Sequence, residues 1–167
     1  MWKKVEEVFR DYPAQKKVVL YLLEKGFQVK ESGRIAVDGC LVPSTSLSRR
    51  LGVDRRVIDA AAERILKSKE LRSVFTKLRP IADLSESAPE LGLGVVSISV
   101  KDASKPGIIE SLTDCMARHG VSIRQAIADD PFFVEEPRFT VITGEKVDGE
   151  VLEALQAIEG VSEIRIS

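Results

Sequence analysis

The chain is poor in the side chains that enzymes and metal centres use. Its 167 residues include one histidine and two cysteines. Cys40 and Cys115 stand far apart with no CxxC spacing, so neither a zinc site nor a disulfide framework is supported. A nucleophilic triad would have to be built around His119 alone, and no pattern near it helps. We therefore assign no catalytic residue, no metal and no cofactor, and do not expect an enzyme. Aromatic residues make up 5% of the chain. Trp2, Phe9, Tyr12, Tyr21, Phe27 and Phe75 mostly fall on apolar stripes, which leaves few rings for stacking on RNA bases. No run approaches the roughly 20 apolar residues of a membrane span. The start, Met1-Trp2-Lys3-Lys4-Val5-Glu6-Glu7, has acids where a signal peptide has its apolar core. A cytoplasmic location without membrane attachment is expected. Asp129, Asp130, Glu135 and Glu136 read as a solvated acidic loop rather than a cation site.

What the chain does have is charge divided by position. Residues 1–80 carry 18 Lys and Arg against 10 Asp and Glu, and residues 81–167 carry 7 against 16. The net charge of −1 thus joins a basic half to an acidic one. A polyanion-binding module tethered to a non-binding module has this distribution. The length suits two small domains, and domains so small bury little apolar surface, so association with a second copy is expected. Between the halves, PIADLSESAPELGLG (residues 80–94) mixes Pro, Ser, Gly and acids without a period, with Ile81, Leu84 and Leu91 available for local packing. The predicted organisation is a first domain over 1–80, a linker over 81–93 and a second domain over 94–167.

In the basic half, Trp2, Val5, Val8 and Phe9 suggest a short leading helix. Val18, Val19, Leu22 and Leu23 place a second helix over Pro13–Lys25, stopped at Gly26. Phe27–Val29 and Arg34–Val37 read as short strands around Glu31-Ser32-Gly33. Ser44–Leu66 is the informative stretch. Ser44 or Thr45 caps a helix bearing Leu47 and Leu51, Gly52 supplies a left-handed turn, and Val53 plugs the corner. Asp54 caps a second helix whose buried stripe is Val57, Ile58, Ala61, Ile65 and Leu66. This is the layout of a helix-turn-helix. Arg55 and Arg56 open the second helix, where basic side chains reach phosphates or guanine edges. With Ser44, Thr45, Ser46, Arg49, Arg50, Lys67 and Lys69 they form the candidate DNA contacts. Asp59 and Glu63 lie on the exposed side of the same helix and oppose them. Leu71 and Val74-Phe75 are expected to form the strand of a wing.

In the acidic half, Val96, Ile98 and Val100 alternate along a strand over Gly94–Val100. Ile108, Leu112, Cys115, Met116 and His119 then mark a helix that ends at Gly120. Cys115 is expected in the core, and His119 at the helix C-terminus. Val121, Ile123 and Ile127 read as a second strand, with Gln125 on the same face. Arg138–Thr143 is a third strand, residues 148–159 a second helix, and Val161–Ile166 a fourth strand. The order β-α-β-β-α-β is the ferredoxin-like arrangement, whose uncovered sheet face and edges favour a homo-oligomer. The fold class predicted for the whole chain is α+β, a winged helix-turn-helix followed by this ferredoxin-like domain.

Asp102-Ala103-Ser104-Lys105-Pro106-Gly107-Ile108-Ile109, with His119-Gly120-Val121-Ser122-Ile123, resembles the ACT domain, an amino-acid-sensing module, over about residues 94–167. Arg124-Gln125-Ala126 and Asp129-Asp130-Pro131, preceded by a helix-turn-helix half containing Val53-Asp54-Arg55-Arg56-Val57, resemble archaeal proteins described as predicted regulators of amino-acid metabolism. The loop has its own chemistry. A helix N-terminus offers free N–H groups to a carboxylate, Gly107 lets a ligand approach the backbone, and Asp102 suits an ammonium. Asp102, Lys105, Pro106, Gly107 and Ile108 are therefore ligand-binding candidates for a free amino acid. The resemblance adds Ile123, Arg124 and Gln125 from a second subunit. The expected function is an amino-acid-responsive transcriptional regulator that binds DNA through its first half and dimerises and binds effector through its second. The alternative is a regulatory subunit that senses an amino acid and docks on a biosynthetic enzyme.

Overall fold

The computed structural model describes residues 2–132 and 134–167. The molecule is α+β with two antiparallel sheets, and it divides into two units, Met1–Ile81 and Ala82–Ser167.

In the first unit, apolar spacing decides the helices. Val5 and Phe9 stand one turn apart on α1 (Trp2–Phe9), and Val18, Val19 and Leu22 form the inner stripe of α2 (Pro13–Glu24); all five are fully buried. Pro13 opens α2 where a missing N–H costs nothing. Strands β1 (Gln28–Val29), β2 (Ile35–Val37) and β3 (Cys40–Leu41) form a sheet in that order. The sequence reading lacks β3. Asp38-Gly39 makes its turn, with φ of 44° and 86°, the positive pair that a two-residue hairpin requires.

Helix α3 (Ser44–Leu51) starts one or two residues earlier than a cap at Ser44 or Thr45 predicts. Pro43 is the cap residue, no side chain caps the helix, and Ser44 and Thr45 lie inside it. Gly52 follows in the left-handed conformation at φ 63°. Asp54 caps α4 (Arg55–Lys67), its Oδ1 accepting from the Arg56 N–H at 2.8 Å. Ile58, Ala61, Ala62 and Ile65 are buried, and Val53 and Val57 pack on the same core. The expected wing strand is instead helix α5 (Lys69–Phe75). Leu71 and Phe75 are both buried, and their four-residue spacing is a helical period rather than an alternation. Ser68 Oγ caps the turn by accepting from the Leu71 N–H.

The second unit runs β4 (Gly94–Val100), α6 (Ile108–Arg118), β5 (Ile123–Ala128), β6 (Arg138–Thr143), α7 (Gly149–Gln156), β7 (Val161–Ile166). Its sheet order is β5-β6-β4-β7, antiparallel throughout. Val96, Ile98, Phe139 and Val141 point to one face, where Ile108, Leu112 and Met116 of α6 and Val151 and Leu155 of α7 cover them. Residues 82–93 belong to this unit. Leu84 and Leu91 (64% exposed), and Ile81 just before this stretch (84%), are exposed rather than packed, whereas Leu93 is partly buried. The packing falls to Ala88, fully buried against Val95 and Ile142 with Leu93 beside it, on the face opposite the helices.

Candidate functional site

The chain carries two candidate surfaces, one in each unit.

The first is the corner between α3 and α4. Arg55 and Arg56 occupy the first turn of α4 and are exposed, as are Arg49 and Arg50 in the last turn of α3. Asp59 and Glu63 share the outer side of α4, and both are partnered. Ser44 Oγ donates to Asp59 Oδ1 at 2.8 Å, and Asp59 Oδ2 lies 3.7 Å from Arg55 Nε. Glu63 lies 3.9 Å from Lys67 Nζ. Ser44, Thr45, Arg55, Asp59 and Glu63 line a groove of about 450 Å³ whose far wall is Ser32–Ile35 of the first hairpin. Lys67 and Lys69 are not part of it. They line a separate groove of about 500 Å³ with Lys4, Val8, Arg64 and Glu70, beyond the C-terminal end of α4. Arg64 there is committed: it lies 3.6 Å over the Tyr12 ring and its Nε donates to Gln15. Arg34 and Lys4 are basic residues that the sequence reading left out. Only the tertiary fold brings them to α4, and no local pattern marks them.

The second surface is the loop between β4 and α6. Gly107 precedes α6 at φ 89°, no side chain caps the helix, and a Cβ at Gly107 would meet nothing within 4 Å. The backbone at that helix start is therefore open to an approaching group. Asp102 is fully exposed but engaged: its Oδ1 accepts from the Ser104 N–H at 2.9 Å and from Ser104 Oγ at 2.6 Å. These two bonds hold its carboxyl below the usual carboxylate range, so it stays anionic. Lys105 Nζ lies 3.5 Å from Glu159. Ile108 turns its side chain into the core, which leaves only its backbone for a ligand. Beside the loop, a mainly apolar cavity of about 30 Å³ is lined by Val100, Ala103, Ile109 and Phe139 together with Asp129 and Arg138, room for about one water molecule.

Ile123, Arg124 and Gln125 are elsewhere. Ile123 pairs with Thr143, which pairs with Gly94 at the start of β4, whereas the loop follows the end of β4. One strand length, roughly 20 Å at about 3.3 Å per residue, separates them. A single protomer therefore does not assemble the set. Gln125 also departs from expectation. The register slips between Ile123 and Gln125, leaving Arg124 as the extra residue of a bulge. Ile123 consequently faces the helices with Thr143, and Gln125 faces away with Ile142. The Gln125 amide is satisfied within its own chain. Nε2 donates to the Ala82 carbonyl at 2.6 Å, and Oε1 accepts from the Leu84 N–H at 3.1 Å.

Two polar residues remain from the sequence reading. Cys115 is half-buried at the edge of the core, and burial, with the Asp114 charge, pushes its thiol pKa up. It is thus a poor nucleophile. His119 Nδ1 lies 2.8 Å from the Cys115 carbonyl, a contact that closes the last turn of α6. Among the described residues, no group of three or more His, Cys, Asp or Glu could hold a metal, and no helix is long and apolar enough to cross a membrane.

No protein-family model matches the chain, and no curated protein matches it. Among solved structures, AsnC of E. coli is a weak neighbour. The match covers 75% of this chain and 78% of that one, at 14% identity and a TM-score of 0.23.

Proposed function

We propose that this protein is a cytoplasmic transcriptional regulator that binds DNA through a helix-turn-helix in its first unit. In this reading a ferredoxin-like, ACT-like second unit dimerises the chain and binds a free amino acid. The observation that carries the DNA reading is the α3–Gly52–α4 corner, with Arg55 and Arg56 exposed on the first turn of α4 and the nearby acids partnered. Arg55 and Arg56 are assigned to bases or phosphates. Ser44, Thr45, Ser46, Arg49, Arg50, Lys67 and Lys69 widen the contact. The β2–β3 hairpin precedes the corner, in place of a wing after it.

For the second unit, the order β5-β6-β4-β7 with both helices on one face supports the ferredoxin-like assignment. The open helix start at Gly107 supports a carboxylate ligand there. Asp102 and Lys105 flank it, and Ile123 and Arg124 reach it only from a second copy. A dimer is therefore part of this reading. Effector and DNA affinities would then be linked by about 1–3 kcal/mol, equally in both directions.

Fluorescence anisotropy with labelled duplexes over a salt series tests the first half. Saturable binding, steeply weakened by salt and lost in the Arg55→Ala, Arg56→Ala double variant, is expected. Negligible affinity at low salt for every duplex would end the regulator reading. A second reading, docking on a biosynthetic enzyme, draws on Asp59 and Glu63 in the groove, because a protein surface accommodates mixed charge. Co-purification with one enzyme, at salt-insensitive affinity, is its signature.

A further inference from the structure

We propose that Asp59 determines base specificity on α4. In this proposal it accepts a hydrogen bond from the exocyclic amine of a cytosine while Arg55 engages a neighbouring guanine. The inference rests on the DNA-binding reading above. Asp59 stands four residues after Arg55, so the two side chains rise from one face of the helix in its first two turns. The side chains are 50% and 65% exposed.

The carboxylate is aimed. Ser44 belongs to the other helix of the corner, and its hydroxyl reaches across to hold Asp59 Oδ1 at 2.8 Å. Oδ2 is too far from Arg55, at 3.7 Å, for a hydrogen bond, so it keeps its lone pairs for another donor. A loose carboxylate facing a polyanion would only weaken binding to every sequence alike. A fixed acceptor beside an arginine does something different, because it matches a donor next to a guanine edge. Cytosine N4 offers such a donor in the major groove, whereas thymine and guanine present acceptors there that a carboxylate repels. Adenine also has an amine, but its N7 acceptor stands beside that amine and repels a carboxylate, whereas cytosine has no acceptor on its own major-groove edge.

The full chain is equilibrated with a pool of randomised duplexes and bound sequences are selected. Kd is then measured for the selected site and for each base substitution in it, with wild type, Asp59→Ala, Asp59→Asn and Ser44→Ala. The selected site is expected to hold a C·G pair whose substitution weakens wild-type binding about tenfold or more. Asp59→Ala should flatten that one position to within about twofold while discrimination elsewhere and the salt slope persist. Its affinity for unselected DNA should hold or rise, since an acid facing phosphates is gone. Ser44→Ala should blunt the same position in part. Asp59→Asn keeps the shape and one acceptor, so it carries the test if the alanine variant melts early, and it should move the preference away from cytosine. An unchanged base profile, or one weakened equally at all positions, overturns the proposal and leaves Asp59 as a tie between α3 and α4. Absence of saturable binding to any duplex by the wild type overturns the DNA reading as well.

Discussion

Gly26 and Gly52 adopt the same left-handed backbone, at φ 68° and 63°, in different surroundings. A Cβ on Gly52 meets nothing within 4 Å, while one on Gly26 lies 2.5 Å from the Arg79 carbonyl oxygen. Alanine at Gly52 should cost about 1–2 kcal/mol, the penalty of left-handed backbone for a residue with a Cβ. Alanine at Gly26 should add roughly 1–3 kcal/mol for displacing packed backbone. Urea denaturation of the two variants checks this, and equal losses would mean that Arg79 yields freely. Asp102 gives a second residue-level prediction. Its carboxyl is held low by the Ser104 hydroxyl and N–H, and fully exposed groups contribute little energy, so the readout is the titration itself. A lowered carboxyl favours the fold fully above the ordinary carboxylate pKa and loses that contribution as pH falls through the lowered value. Ser104→Ala removes the first-named bond. The Asp102 resonance, followed by NMR over acid pH, should then titrate nearer the ordinary value, while an unmoved midpoint would assign the shift to the backbone bond alone.

At the scale of elements, helices were legible and register was not. Helical period in Val5/Phe9, Val18/Leu22 and Ile58/Ala61/Ile65 reports burial directly, and each stripe is buried. Leu71/Phe75 carried the same period, but three apolar residues in so short a span also fit an alternation, and the cap at Ser68 is what distinguishes them. Asp38-Gly39 was readable as a hairpin turn. The strand after it, Cys40–Leu41, is apolar in sequence but only two residues long and exposed at both positions, too short to show an alternation. The bulge at Arg124 had no signature at all, because it is set by which carbonyl on β6 each amide finds. Hence Gln125 shares a face with Ile127 but not with Ile123, although a plain alternation puts all three on one side. For the candidate contacts, Arg55, Arg56 and Gly107 could be read from their places at helix starts, but Arg34 and the Ser44 clamp on Asp59 could not. The start of α4 makes a prediction of its own. Asp54 satisfies an orphan N–H and sits at the positive end of the helix, so Asp54→Ala should destabilise the first unit by about 1 kcal/mol in thermal melts. A neutral result would show that Arg55 and Arg56, unfavourable at that end, dominate the local electrostatics.

At the scale of the whole molecule, the change of charge near residue 80 and the division at Ile81 and Ala82 fall together, but the stretch that follows is no free tether. It crosses the sheet face opposite the helices. Gln125, Ile142 and Val95 form one row across β5, β6 and β4. Gln125 grips residues 82 and 84 at one end of this row, and Ala88 covers Ile142 and Val95 at the other. Removing residues 82–93 would open two buried aliphatic side chains, each worth roughly 1.5–3 kcal/mol when fully buried, and exchange the two exposed hydrogen bonds of the Gln125 amide for water. A fragment over 82–167 should therefore be more stable than one over 94–167 by a few kcal/mol, read as the difference in urea unfolding free energy. In the full chain, Gln125→Ala should speed hydrogen exchange at the Leu84 amide while leaving Val141, in the middle of the sheet, protected. If instead both fragments unfold alike and Leu84 exchanges as fast in the wild type as in the variant, the stretch is a tether after all. The start of β5 could then move without shifting the point where the chain enters the second unit.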